Sequence, residues 1–244
     1  MSRSEPGKVA ERFAKDLINM LNRTVCEGAF VGILERPDGM VVFGTELRRG
    51  QRPQPIPMRT RGGVPCWLTV SGQVFLDGDG YLTVKKSNFL VSAGKPALEL
   101  FHYDYERDKI GYPDAHLQIF ASGEAWDELL LASGKSGGSV SKLHLPVGGR
   151  RYRVALEDII EALIAEDILE PQAGWKPVLE RSRDDFRRRQ LAAAVRRDPS
   201  TAVAELQARG YTVAAPDQAL VGNVVQFSKT RLRRRLGRRK PPER

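Results

Sequence analysis

Imidazole is the side chain that changes charge near neutral pH, so it serves as acid, base or metal ligand. The only three histidines of the chain, His102, His116 and His144, fall within 43 positions of one another. The first two sit on alternating runs, LELFHYDYE (Leu98 to Glu106) and AHLQIFA (Ala115 to Ala121), which flank the polar loop Arg107 to Asp114. Two such runs are expected to pair as antiparallel strands. If their paired indices sum to 218, His102 faces His116 and Asp104 faces Asp114 on one side of a sheet. His144 and the cluster Arg150, Arg151, Arg153 arrive next in the sequence. A face of this kind has the residue types to bind a phosphate or a divalent metal, or to supply acid and base for RNA cleavage. The three histidines are therefore the candidate catalytic residues. The competing reading is three ordinary half-buried strand histidines, since geometry rather than number makes a site.

A second kind of chemistry is carried by arginine. Tyr103, Tyr105, Tyr112 and Tyr152 gather near Arg107, Arg150, Arg151 and Arg153, and aromatic rings interleaved with cations suit base stacking combined with phosphate neutralisation. The same tyrosines also suit a sheet face with hydroxyls at its rim. The net charge of +9 is not spread evenly: residues 229–244 hold nine basic residues and one acid, Glu243, a net +8 that leaves +1 for residues 1–228. Candidate nucleic-acid contacts are accordingly Arg150, Arg151 and Arg153, then Arg187 and Arg188, then Arg231, Arg233, Arg234, Arg235, Arg238 and Arg239.

Other motifs are excluded by spacing. Gly134-Lys135-Ser136 resembles the end of a phosphate loop, but the glycine required five positions earlier is Leu129. Asp77-Gly78-Asp79-Gly80 lacks the further ligands of a calcium loop and reads as a hairpin turn. Cys26 and Cys66, forty positions apart, have no metal-ligand spacing and read as two core thiols in a reducing compartment. No metal site and no cofactor is expected. With no run of eighteen apolar residues and no apolar core near the N-terminus, a cytoplasmic protein without a transmembrane segment is expected.

The elements that must position these residues form an expected α+β fold: an antiparallel sheet with an N-terminal helix, a covering helix and a C-terminal helical region. Glu5 to Arg23 is amphipathic at helical spacing. Ala29 to Glu35 and Met40 to Leu47 form a hairpin about Arg36-Pro37-Asp38-Gly39. Arg48 to Gly63 reads as a long basic loop. Cys66 to Val70, Val74 to Asp77 and Tyr81 to Val91 read as strands, and Gly123 to Ala132 as a short helix. The organising stretch is His144 to Leu169, in which Val147-Gly148-Gly149 turns sharply with φ > 0 at a glycine. The helix that follows has Leu156, Ile159, Ile160, Leu163, Ile164 and Ile168 on one side and Glu157, Asp158, Glu161, Glu166 and Asp167 on the other. Further helices are expected at Trp175 to Arg197 and, capped by Asp198-Pro199, at Ser200 to Arg209, with a short strand at Tyr211 to Ala214. Three regions follow: a sheet domain at 5–169, a helical appendage at 170–215 and a basic flexible tail at 216–244.

The run HLPVGGRRYR followed by LEDIIEALIAE resembles a segment of uncharacterised actinobacterial proteins, in which a similar Tyr-Asp-Tyr strand and a His-bearing strand precede it; the likeness covers about Leu98 to Leu169. The order of strand, histidine strand and closing helix is more remotely similar to small TumE-like toxins of toxin–antitoxin pairs. That likeness implies an RNA-acting or defence role. The expected function is a nucleic-acid-associated protein of bacterial regulation or phage defence, its partner a phosphate backbone. The alternatives are a ribonuclease-like toxin–antitoxin component and a protein-interaction module of a larger assembly; the oligomeric state is left open.

Overall fold

The computed structural model describes residues 5–45, 47, 54–95, 97–133, 140–149 and 153–214. Helix α1 (Glu5–Asn22) buries Gly7, Ala10 and Ala14 at intervals of three to four, and Met20 and Leu21 in its last turn. That stripe lies on the sheet at β1 (Val31–Glu35), β2 (Val41–Thr45), β4 (Cys66–Leu76) and β5 (Leu82–Ala93). The small side chains of Ala10 and Ala14 let the helix come close, and Phe13 meets Phe43 of β2 edge to face at 5.3 Å. In the β1–β2 turn, Gly39 takes φ 82° and Asp38 accepts a hydrogen bond from the Met40 N–H.

The fold is α+β. Among the described residues, eight strands form one antiparallel sheet in the order β1-β2-β4-β5-β6-β7-β8, with β6 at Leu98–Glu106, β7 at Ala115–Ile119 and β8 at Leu145–Pro146. Strand β3 (Ile56–Met58) shares an edge of β4 with β2: β2 pairs along Ser71–Val74 and β3 along Cys66–Leu68. Two expectations are corrected here. Cys66 to Val70 and Val74 to Asp77 are one strand, Cys66–Leu76, of eleven residues: Gly72 sits under the Phe43 ring and keeps the ladder with β2 continuous, while the ladder with β5 shifts register between Gln73 and Val74. The loop expected over Arg48 to Gly63 contains β3, whose alternating Ile56 and Met58 are buried; residues 48–53 lie outside the described residues.

Alternation sorts the sheet into two faces. One carries Leu68, Val70, Val91, Phe101, Tyr103 and Tyr105 towards the core. The other carries Asn88, His102, Asp104, His116 and Gln118, as their cross-strand pairing requires. After β7 come α2 (Glu124–Ala132) and a 3-10 turn at Val140–Lys142; Gly134-Lys135-Ser136 lies outside the described residues. Gly148 and Gly149 both take positive φ, 72° and 69°. Helix α3 (Leu156–Ala165) then buries Leu156, Ile159, Ile160, Leu163 and Ile164. Its entry is fixed by Asp158, whose carboxylate accepts the Ala155 N–H at 3.0 Å.

The expected division of this helix into two faces fails at both ends. Ile168 is 45 % exposed, because the helix stops at Ala165 and Asp167, at φ 57°, turns the chain so that Leu169 takes the buried place. Glu157, assigned to the polar face, is only 6 % exposed. It is tolerated there because Ser182 of α4 (Trp175–Arg197) donates to it at 2.5 Å, a charged acceptor satisfied by a neutral donor. Arg183 of the same helix reaches Glu161, and Asp158 at 3.4 Å.

The chain divides into two compact units between Leu191 and Ala192. In the second, α5 (Pro199–Ala208) is capped by Asp198, which accepts from Thr201 N–H at 3.1 Å, with Pro199 at the first helical position and Gly210 at φ 85° after its end. The strand expected at Tyr211 to Ala214 does not form. Among the described residues, no helix is long and apolar enough to cross a membrane.

Candidate functional site

The three imidazoles do converge, but in a register shifted by two from the expected one. β6 and β7 pair with indices summing to 220, so Asp104 faces His116 and His102 faces Gln118. The connecting loop is closed in the same register: Glu106 N–H donates to the Asp114 carbonyl at 2.7 Å, and Asp108 (φ 62°) and Gly111 (φ 100°) lie in the turn beyond. A shift of two leaves every side chain on the face it would otherwise have taken.

Asp104 is the hub. Its Oδ1 accepts from Asn88 Nδ2 at 2.6 Å, while its Oδ2 lies 3.3 Å from His102 Nε2 and 3.6 Å from His116 Nε2. The tautomers follow from the partners. Gln118 donates its amide N–H to the Ser141 carbonyl at 2.5 Å, which turns its Oε1 towards His102, 2.7 Å away, so His102 Nε2 carries a proton. His116 Nδ1 lies 3.1 Å from the Pro113 carbonyl and carries a proton there. His116 is 2 % exposed; its ring meets Tyr112 edge-on at 4.9 Å and His144 at 4.7 Å. Tyr112 and His144 stack at 4.1 Å, nearly parallel at 15°, with Lys109 Nζ 4.7 Å from the Tyr112 centroid. His102 is half-buried beside Phe120. The group is thus a polar chain, His102 to Asp104 to His116 to His144, in which His116 is buried and the other three are half-buried. Among the described residues, no group of three or more His, Cys, Asp and Glu has a metal-holding arrangement.

The arginines are placed differently from the expectation. Arg153 does not join the histidines: its guanidinium carbon lies 4.5 Å from the Tyr105 centroid and 5.3 Å from that of Phe186, on the opposite face of the sheet. Tyr112, in the β6–β7 loop, belongs to the histidine group, while alternation along β6 puts Tyr103 and Tyr105 on the face opposite His102 and Asp104. Burial, followed by the charge of Asp158, pushes the Tyr103 phenol up. Arg187 and Arg188 are exposed, each in a long surface ion pair of 3.7 Å, with Asp158 and Asp185. Arg150, Arg151, Tyr152 and the tail positions Arg231, Arg233, Arg234, Arg235, Arg238 and Arg239 lie outside the described residues. Cys26 and Cys66 are buried free thiols, and burial pushes Cys26 up to about 12, which leaves it unreactive as a nucleophile.

Comparison with protein-family models, curated proteins and solved structures finds no match. The site is therefore read from its own geometry. Sequence reasoning passed over two members of it. Gln118, two positions after His116, shares its face by alternation alone and was within reach of the sequence. Asn88 was not, because it joins only through the register of β5 on β6.

Proposed function

We propose that this protein binds nucleic acid through the phosphate backbone, using its basic C-terminal segment. The observation that carries the reading is the concentration of a net +8 into residues 229–244 of a chain whose total is +9. Such a segment neutralises successive phosphates and releases their counterions, giving affinity that is indifferent to sequence and steep in salt. The exposed Arg187 and Arg188 support it, since their 3.7 Å surface ion pairs are weak enough to be exchanged for phosphate. The test is a salt-dependent titration of DNA and RNA by the full chain and by a variant with Arg231, Arg233, Arg234, Arg235, Arg238 and Arg239 all replaced by Gln. The variant is expected to bind duplex DNA at least tenfold more weakly, with the slope of log K against log salt flatter by up to about five. Equal binding by both chains, or no dependence on salt, overturns the reading; binding to anionic vesicles alone transfers it to a membrane surface.

The gathering of three imidazoles, two of them beside Asp104 and the third against His116, favours a second reading, acid–base cleavage of a bound RNA strand, as the likeness to TumE-like toxins also implies. A base takes the 2′-hydroxyl proton and an acid protonates the leaving 5′ oxygen. His102 and His144, the half-buried ends of the chain, are the groups placed to meet substrate, with Asp104 and buried His116 as positioning residues. RNA incubated with the purified full chain is expected to be cut, and His102→Ala and His144→Ala to slow cutting by about 100-fold or more each. Intact RNA with the wild-type chain across pH 5–8 ends this reading and leaves the first untouched.

A further inference from the structure

Helices α1 and α3, with Leu179 of α4, share their core with one face of the sheet. Across the other face one row runs Thr69, Leu90, His102, Gln118 through β4, β5, β6 and β7, and all four are half-buried. Phe120 follows on the same face, two positions after Gln118. Its ring is 37 % exposed and lies 5.5 Å from the His102 ring. It is also firmly seated: the Phe120 N–H donates to the carbonyl of exposed Leu100 at 2.8 Å, continuing the β6–β7 ladder by one rung. His102 has one end to spare. Its Nε2 proton is given to Gln118, so Nδ1 is the accepting nitrogen, and among the described residues that nitrogen has no hydrogen-bond partner.

We infer that Phe120 is a base subsite for single-stranded RNA: one unpaired base stacks on its ring, and the 2′-hydroxyl of that nucleotide meets His102 Nδ1. This rests on the acid–base reading of the histidines and names its substrate. Charge selects the occupant. A chain of net +9 attracts a polyanion, whereas Leu100, Gln118 and Phe120 are uncharged, so the part of the partner lying here is neutral. A nucleic-acid strand has both parts, and it offers the faces of its bases only when they are unpaired. Every base has such a face, so the subsite accepts all four. In the reaction Nδ1 takes the 2′-hydroxyl proton, O2′ bonds to the adjacent phosphorus, and the P–O5′ bond breaks. The leaving oxygen takes its proton from His144, and the products are a 2′,3′-cyclic phosphate and a 5′-hydroxyl. Asp104 Oδ2, 3.3 Å from Nε2, faces the imidazolium so formed.

The probe is a short single strand without 2′-hydroxyls, which cannot be cut, carrying 5-iodouracil at its centre. Irradiation with the full chain is expected to crosslink it to Phe120, as read by peptide mass. Phe120→Leu should bind the strand about tenfold more weakly, and Phe120→Trp as well as wild type. Phe30→Leu, which removes a 50 % exposed ring beside β1 at the far edge of the sheet, should leave binding unchanged. Equal affinity of Phe120→Leu and wild type, a crosslink elsewhere, or no binding of the strand overturns the inference. Should Phe120→Leu not fold, the wild-type crosslink decides alone. The matching RNA separates the two readings. Cutting by wild type and Phe120→Leu with the same KM removes the subsite and keeps the acid–base reading, whereas a Phe120 crosslink without any cutting ends that reading and leaves Phe120 a stacking site only.

Discussion

Gly72→Val is expected to cost the fold roughly 3 kcal/mol or more, lowering Tm by about 6–12 °C. A Cβ at position 72 would lie 2.5 Å from the Lys86 carbonyl oxygen and 2.5 Å from the Phe43 ring. The ring could swing aside, although Phe13 packs against it. The carbonyl could not, because it belongs to the β4–β5 ladder. Gly72 is thus a packing requirement, unrelated to left-handed backbone. Gly62→Ala and Gly78→Ala are the controls: nothing lies within 4 Å of a Cβ at either position and neither has positive φ, so their Tm should stay within a degree or two of wild type. A Gly72→Val chain that melts with the controls would mean that β4 and β5 separate at this point without loss, and that the ladder is not what the sheet depends on here.

Ile160→Ala is expected to be as damaging, at about 2–5 kcal/mol, and Leu163→Ala nearly so. Ile160 is 1 % exposed within the single core that joins α1, α3, Leu179 of α4 and the sheet. A cavity there has wall on every side and little freedom to collapse. Glu161→Gln, one position along, provides the contrast. Its carboxylate is held below the usual range by Arg183, so whatever stability this pair contributes is present above the unfolded carboxylate pKa and lost as pH falls through the folded one. The substitution should therefore matter least in acid and more at neutral pH, while the loss in Ile160→Ala should be nearly the same at both. Chemical denaturation at pH 3.5 and pH 7 checks the two together; an Ile160→Ala loss confined to one pH would mean that α3 is held by charge rather than by burial.

How much of this was legible follows from the range over which each feature is decided. Helix α3 was readable because its apolar spacing is local, although its end at Ala165 was not, and so were the Asp38-Gly39 turn, the Asp198-Pro199 cap and positive φ at a glycine of the Gly148-Gly149 pair, which both adopt. That His102, Asp104 and His116 share a face was readable too, since it needs only a period of two. Their partners were not. Asp104 pairs with His116 instead of Asp114 in a register that alternation alone leaves open, and the loop that joins the strands includes Asp108 in a left-handed conformation no composition announces. The burial of Glu157 depends on Ser182, twenty-five positions away. Arg153 went to the wrong face in the sequence reading because proximity in the chain was taken for proximity on the sheet, whereas two glycines in left-handed conformation intervene between β8 and that residue.

One knot of backbone sets a clock for this protein. Directly after α1, Thr24 and Cys26 receive both hydrogen bonds of Gln172, from its backbone N–H at 2.7 Å and its side-chain amide at 2.6 Å. Between them run Arg59, whose N–H donates to Val25 and whose carbonyl accepts from Glu170, and the bridge of Thr60 to Leu169. The end of the first helix is therefore closed by residues made 146 positions later. On a ribosome adding about 5–20 residues per second, roughly seven to thirty seconds pass between the two. Throughout that interval Val25 and Cys26, both fully buried at the end, have no lid. Nascent chains stalled before Gln172 should be cut by protease near Thr24, and chains stalled some forty residues beyond it should resist.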